Sequence, residues 1–297
     1  MNFRWIGKSA DGNTITLHKL SDSFPTAPYF NDAWKKANGD LIRVGIAMDV
    51  ETTGLDKSRD KIIELGMRKF LFNRTTGEVL TAAETFSALQ DPGEPLSEEV
   101  KKVTGLTDAM LSGQAIDWKA AEQFLGEAHV ILAHNASFDR PFLDRASPAS
   151  ATKIWGCSLK QIDWNAKGYS THKLDVLSIY HGFFTDAHRA LNDATALLHL
   201  VNQKEENSGA TYLLELLTNA KRPTARVIAS RSPFDSKDHL RAKKYTWDAL
   251  NKFWHKSIYK DELEAEMKWL ETTVYNGAFL GQVQEIQVVD NFKDVAH

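Results

Sequence analysis

Residues 41–55 read LIRVGIAMDVETTGL. The run up to Val50 is apolar and β-branched apart from Arg43 and Asp49, the composition of a buried strand. TTGL after it is a polar, Gly-containing turn. Asp49 and Glu51 stand two residues apart, so on a strand both carboxylates point to one face. A D-x-E pair at a strand end is common and decides little alone. Two further stretches give it meaning. AHNASFD at 133–139 brings Asp139, and HRALND at 188–193 brings His188 and Asp193. By itself the first reads as helix capping, with Ser137 as N-cap. By itself the second reads as the solvated face of a helix. Occurring together and in order, in strand-end and helix-start settings, the three pieces point to one site.

The chemistry of that site follows from the residue types. Phosphodiesters are anionic and repel hydroxide. A pair of hard cations about 4 Å apart can activate a water and stabilise the leaving oxygen together. Magnesium and manganese prefer oxygen ligands, which suits Asp and Glu over Cys or His. Without a cation, clustered carboxylates repel one another and their pKa values rise. A general base is still required, and an imidazole, which titrates near neutrality, makes His188 the candidate. The other histidines show no metal-ligand spacing such as H-E-x-x-H. His134 and His172 are candidates to line the cleft, whereas His129, His181 and His199 read as packed or surface residues.

The motifs DVETTGL at 49–55, AHNASFD at 133–139 and HRALND at 188–193 resemble those of DnaQ-like 3'-to-5' exonucleases of the DEDDh type. The stretch DPGEPLSEEVKKVTGLTDAML at 91–111 is similar to the family segment between the first two motifs. The resemblance covers roughly 41–205 and implies an α/β, RNase H-like core, a mixed central sheet flanked by helices. It implies two divalent cations, Mg2+ or Mn2+. Asp49 would bridge both, Glu51 and Asp193 would hold one, Asp139 would serve the other, and His188 would be the base. It implies that Thr52, Thr53 and Leu55 contact the terminal nucleotide and that Asn135 positions the sugar-phosphate. Turn chemistry for the threonines, and packing for Leu55, explain those residues equally well.

The bounds of the chain agree. Its 297 residues are 42% hydrophobic, enough for a sizeable core, and its formal net charge of −3 means that attraction to nucleic acid must come from local patches. One cysteine, Cys157, excludes an internal disulfide framework and reads as a small packed residue in a reducing compartment. No apolar run approaches a membrane span, and the start lacks the apolar core of a signal peptide. The expectation is a cytoplasmic, soluble protein with no membrane partner.

Four regions are expected: an accessory extension at 1–40, the exonuclease domain at 41–205, a connector at 206–224, and a small basic, aromatic α+β domain with an acidic tail at 225–297. In the extension, Asp11-Gly12 between two strand-like runs signals a hairpin. In the core, KIIELGMRKFLFNRTTGEVL reads as two strands around Arg74–Gly77, and Ser97 caps a helix with Glu98 and Glu99 in its first turn. Residues 221–260 carry 11 Lys and Arg against three Asp, a local charge of +8, whereas 261–297 carries −6. There RVIAS reads as a strand, Asp235 or Ser236 as the cap of SKDHLRAKK, YTWDALNKFWHKSI as a hairpin and DELEAEMKWLETTVY as a helix. The pattern of Phe234, Leu240, Tyr245, Trp247 and Trp254 is similar to small modules found beside nucleic-acid enzymes. Lys237, Arg241, Lys243 and Lys244 are the candidate phosphate contacts. The competing reading makes Trp247 and Trp254 core and the cations a solvated face.

The expected activity is metal-dependent removal of nucleoside 5'-monophosphates from a nucleic-acid 3' end. Its partners would be single-stranded or 3'-ended nucleic acid. A polymerase-associated proofreading subunit, acting in a polymerase or repair complex, and an inactive exonuclease-fold binding protein are the other readings. The motifs leave DNA and RNA both open, because that choice rests on contacts to the sugar 2' position. They also leave the oligomeric state open.

Overall fold

The computed structural model describes residues 9–21, 24–186, 188–205 and 208–294. They divide into two units: one runs up to Ala220 and includes Phe292–Asp294, the other is Lys221–Asn291.

The first unit opens with β1 (His18–Lys19) and α1 (Asp32–Asn38), capped by the Asn31 side chain, which accepts from Trp34 N–H. Then come β2 (Ile42–Thr52), β3 (Ile62–Asn73), β4 (Val79–Thr81) and β5 (Thr85–Leu89). Three helices follow, α2 (Glu98–Thr104), α3 (Asp108–Leu111) and α4 (Trp118–Gly126), before β6 (Val130–Ala133) and α5 (Ala136–Ala146). The unit ends with β7 (Ile154–Cys157), α6 (Ser158–Gln161), α7 (Leu174–Tyr180), β8 (Phe183–Phe184), α8 (Ala190–Val201) and α9 (Tyr212–Ala220).

The central sheet runs β4-β3-β2-β6-β7, with β5 also paired to β3. β2 and β3 are antiparallel, whereas β2, β6 and β7 are parallel. This is the mixed, helix-flanked sheet of an RNase H-like fold. Its central strands β2 and β6 are largely apolar on both faces because helices cover both. Ile46, Met48 and Val50 join a core with residues of α4 and α5, and Ala47, Phe70 and Phe72 join one with residues of α7, α8 and α9. The odd-numbered residues of β2 therefore face α8, which places Asp49 and Glu51 on that side.

At the expected Asp11-Gly12 hairpin the chain turns, with Gly12 N–H donating to the Ser9 carbonyl and Ser9 N–H donating to the Thr14 carbonyl, and beyond the turn β1 pairs in parallel with β8, far away in sequence. Residues 1–8 of that reading lie outside the described residues. Phe24 and Leu20 pack into the core, so this stretch is built onto the first unit. Ser137 is not the cap of α5. The helix starts two residues earlier than that cap would set it, at Ala136 after Asn135, and Ser137 Oγ accepts from Lys160 Nζ at 2.7 Å.

The second unit is a four-stranded antiparallel sheet in the order β10-β11-β9-β12, built from β9 (Thr224–Ala229), β10 (Thr246–Asp248), β11 (Phe253–Tyr259) and β12 (Gln282–Ile286). The helices α10 (Lys237–Ala242) and α11 (Leu263–Trp269) contribute Leu240 and Met267 to its core, with Val227, Tyr245, Trp254 and Ile258 from the sheet side. β10 and β11 form the expected hairpin, but neither Asp235 nor Ser236 caps α10 by its side chain. Both lie in a short 3-10 turn, and Ser236 Oγ donates to the Val274 carbonyl.

Candidate active site

β2 carries Asp49 and Glu51 to its C-terminal end, where the register against β3 shifts just after Glu51. Asp139 sits in the first turn of α5 and is 2% exposed. Asp193 sits in the first turn of α8, and His188 precedes that helix in a left-handed conformation, φ 63°. Few non-glycine residues adopt that conformation, but histidine is among those that do so more readily. The His188 backbone N–H donates to Asp193 Oδ2 at 2.9 Å, which ties the loop to the helix start.

The structure brings the five together. Ligand atoms of Glu51, His188 and Asp193 lie within 4.8 Å of one another. Burial drives the Asp49 carboxyl well above its ordinary range, reinforced by the charges of Asp139, Asp193, Glu51 and Glu64. Burial likewise pushes Glu51 to about 8, with the charges of Asp193, Glu64 and Asp139 adding to it. Asp139 rises to about 7 and Asp193 to about 6, again chiefly through burial. Asp139 Oδ1 is buried without a hydrogen-bond partner. Clustered carboxylates that resist ionisation, one with an orphaned oxygen, suit a hard divalent cation. The donor set therefore fits the group that the sequence implied.

The turn after β2 uses both threonine hydroxyls. Thr52 Oγ1 donates to the Gly54 carbonyl at 2.6 Å, and Thr53 Oγ1 donates to Asp60 Oδ1 at 3.1 Å while accepting from Lys61 N–H. Arg145 pins the same turn by donating to the carbonyls of Lys57 and Asp60. Leu55 is 83% exposed, which removes packing as its explanation. Asn135 is exposed at the start of α5. His134 bonds to Ser158 Oγ and to the His172 carbonyl, and His181 is buried against Tyr169 and Tyr212. Cys157 is buried and unbridged.

Lys237, Arg241, Lys243 and Lys244 lie in the second unit, on or just after α10. Lys237 Nζ sits 4.3 Å from the ring centre of Phe234, itself 78% exposed. Arg241 lies 5.7 Å from the Trp254 ring, and Lys243 5.1 Å from Trp269. Trp254 is core, but Trp247 is 46% exposed, so the two tryptophans divide between the competing readings.

Sequence reasoning passed over Glu64, Gly66 and Arg189. Glu64 pairs across the sheet with Glu51, and Gly66 with Asp49. A β-carbon on Gly66 would lie 2.2 Å from Leu191 N, so only glycine admits the start of α8 this close to β3. An acid inside the apolar run KIIELG was the available signal.

Fold and site together define an acidic, cation-accepting nuclease centre on a mixed sheet. The chain belongs to the RNase_T exonuclease family, whose model matches residues 46–201. A PolC-type DNA polymerase III of Halalkalibacterium halodurans is 35% identical over 173 residues, 52% of this chain but only 11% of that protein. The DNA polymerase III subunit epsilon of Aquifex aeolicus is 31% identical over 158 residues, 50% of this chain and 74% of that one. The chain thus spans about a tenth of the PolC-type relative. Solved structures of Exonuclease X with 5'-overhanging duplex DNA and of Escherichia coli Exonuclease I with a dA16 oligonucleotide also match. The first is 22% identical with a TM-score of 0.43, covering 59% of this chain and 99% of that one; the second is 15% identical with a TM-score of 0.46, covering 62% and 48%. Among the described residues no helix is long and apolar enough to cross a membrane.

Proposed function

We propose that the protein is a DEDDh-type 3'-to-5' exonuclease that releases nucleoside 5'-monophosphates from nucleic-acid 3' ends. The convergence of Asp49, Glu51, Asp139, Asp193 and His188 around one strand end is the observation that carries this reading. Asp49, Glu51, Asp139 and Asp193 would hold two divalent cations, Mg2+ or Mn2+. When bound, such cations stabilise charge on the phosphate and make water a better nucleophile. His188, exposed beside Glu51 and Asp193, takes the proton from the attacking water. Water adds to the terminal phosphate, the bond to the upstream 3' oxygen breaks, and that oxygen leaves with the bonding pair and takes up a proton from solvent to become a hydroxyl.

Leu55 presents an unpacked apolar side chain next to the catalytic strand, which supports a contact with the terminal base. The turn that holds Thr52 and Thr53 leaves their backbone groups for the same nucleotide, and Asn135 would position the sugar-phosphate. Lys237, Arg241, Lys243 and Lys244, with the exposed Phe234 and Trp247, would grip nucleic-acid phosphates and a base. Relatives named as DNA polymerase III proteins support a second reading, a proofreading exonuclease that works with a polymerase.

Degradation of 5'-labelled single-stranded DNA and RNA of matched sequence, with magnesium, manganese or chelator, tests the proposal. A metal-dependent ladder shrinking from the 3' end is expected, absent in Asp49→Asn. A folded Asp49→Asn protein with normal activity would sink it.

A further inference from the structure

Glu64 is an acid that the three motifs leave out. Its side chain is 2% exposed, and it lies on β3 opposite Glu51. A buried carboxylate whose charge acts on Asp49, Glu51 and Asp193 is costly unless it is paired. Arg189 supplies the pair. Its Nε lies 3.1 and 3.2 Å from the two Glu64 oxygens, and its Nη2 donates to Oε1 at 3.0 Å. The backbone N–H of Ala190 donates to Oε2 of the same carboxylate at 3.3 Å.

Ala190 is the first residue of α8, and the N-cap residue of that helix makes no side-chain cap bond. Glu64 therefore caps α8 from a neighbouring strand. It does so at the end where unpaired N–H groups and the helix dipole favour an anion. Gly66, on the same face of β3, lets the helix come down to this cap. The two-pronged contact of a guanidinium fixes orientation as well as distance.

We propose that Glu64 and Arg189 form a positioning clamp: Glu64 docks the start of α8 onto β3, Arg189 cancels the added charge, and together they set His188 and Asp193 against Glu51. The proposal rests on the metal-dependent reading above. His188 precedes Arg189 by one residue and Asp193 follows it by four, so movement of Arg189 carries both. As a neutral pair the clamp leaves the charge seen by a cation unchanged, whereas either half alone alters it.

The test compares calorimetric Mn2+ binding to the full chain, Glu64→Gln and the double variant Glu64→Gln/Arg189→Met. Amide hydrogen exchange of residues 188–195 is followed in the metal-free proteins, with Arg189→Met added. Glu64→Gln keeps an oxygen for Ala190 N–H but leaves the Arg189 charge unmatched beside Glu51. Mn2+ affinity is expected to fall by about 10- to 100-fold and to recover in part in the double variant, which restores the charge balance but not the docking. A pair that only packs would leave the double variant at least as impaired as the single one. Exchange at the start of α8 is expected to quicken in Arg189→Met. Unchanged affinity in Glu64→Gln, no recovery in the double variant, or unchanged exchange in Arg189→Met each overturns the clamp. A natural chain that binds no Mn2+, while Arg189→Met still loosens α8, overturns the metal reading and leaves the helix cap supported.

Discussion

At the scale of single residues, burial and mutual repulsion dominate the site. Without a cation, the raised carboxyls of Asp193, Asp139 and Glu51 oppose folding once they ionise. Their folded-state values exceed the unfolded ones. The stability that they contribute is therefore complete below the ordinary carboxylate range and lost as pH rises through about 6, 7 and 8. Thermal melts of the metal-free protein should show this loss between mildly acidic and mildly alkaline pH, and Mg2+ should reduce it. Asp49→Asn removes one of the repelling charges, so its metal-free melting temperature should rise at alkaline pH while turnover disappears. An unaltered melt would mean that the carboxylates do not strain the fold. His188→Ala should slow turnover by about a hundredfold or more, the usual contribution of a positioned base, and single-turnover rates would read it. The five candidate residues that converge at the end of β2 were legible in the sequence because each lies in a short motif whose setting can be read locally. Glu64 and Arg189 were not, since 125 residues separate them and the acid inside KIIELG gives no hint of the partner that pairs with it.

At the scale of elements, β2 was legible from its apolar, β-branched run, and the cap of α2 from Ser97, whose side chain accepts from Val100 N–H. Contacts between distant segments decide the elements that local patterns do not show. β1 finds its partner at β8, which no turn signal at Asp11-Gly12 could reveal. β12 escaped notice because its residues are exposed or half-buried along its whole length, which erases the alternation that marks a strand. The packing of α8 on β3 is the contact on which the site most depends. Gly66→Ala places a methyl group against the backbone of Leu191 and Ala190. The helix must then shift, at about 1–3 kcal/mol for overpacking. Asp193 moves with it, so activity should fall by more than the loss of stability explains. Melting temperature and kcat measured on the same preparation check this. A variant with lowered stability and unchanged kcat would separate the packing from the chemistry.

At the scale of the whole molecule, charge is divided unevenly along the chain. The chain as a whole is slightly acidic, yet residues 221–260 carry +8 and 261–297 carry −6. An acidic cluster repels a polyanion until cations occupy it, so a separate basic surface has a physical purpose. Composition made the second unit legible as basic and aromatic, but not which aromatics it buries. That division became visible only with Trp254 in the core and Trp247 half exposed. If the basic face grips nucleic acid, replacing Lys237, Arg241, Lys243 and Lys244 with Gln should raise KM and leave kcat nearly unchanged. The chemistry stays intact while the strand is held less well. Every phosphate deprived of its lysine or arginine should also flatten the salt dependence of binding by about 0.7 in the slope of log K against log salt for a single strand. Titrating a labelled oligonucleotide in chelator between about 50 and 200 mM salt reads the slope without turnover. A slope equal to that of the natural protein would assign these four cations to a solvated surface and leave strand binding to the first unit alone.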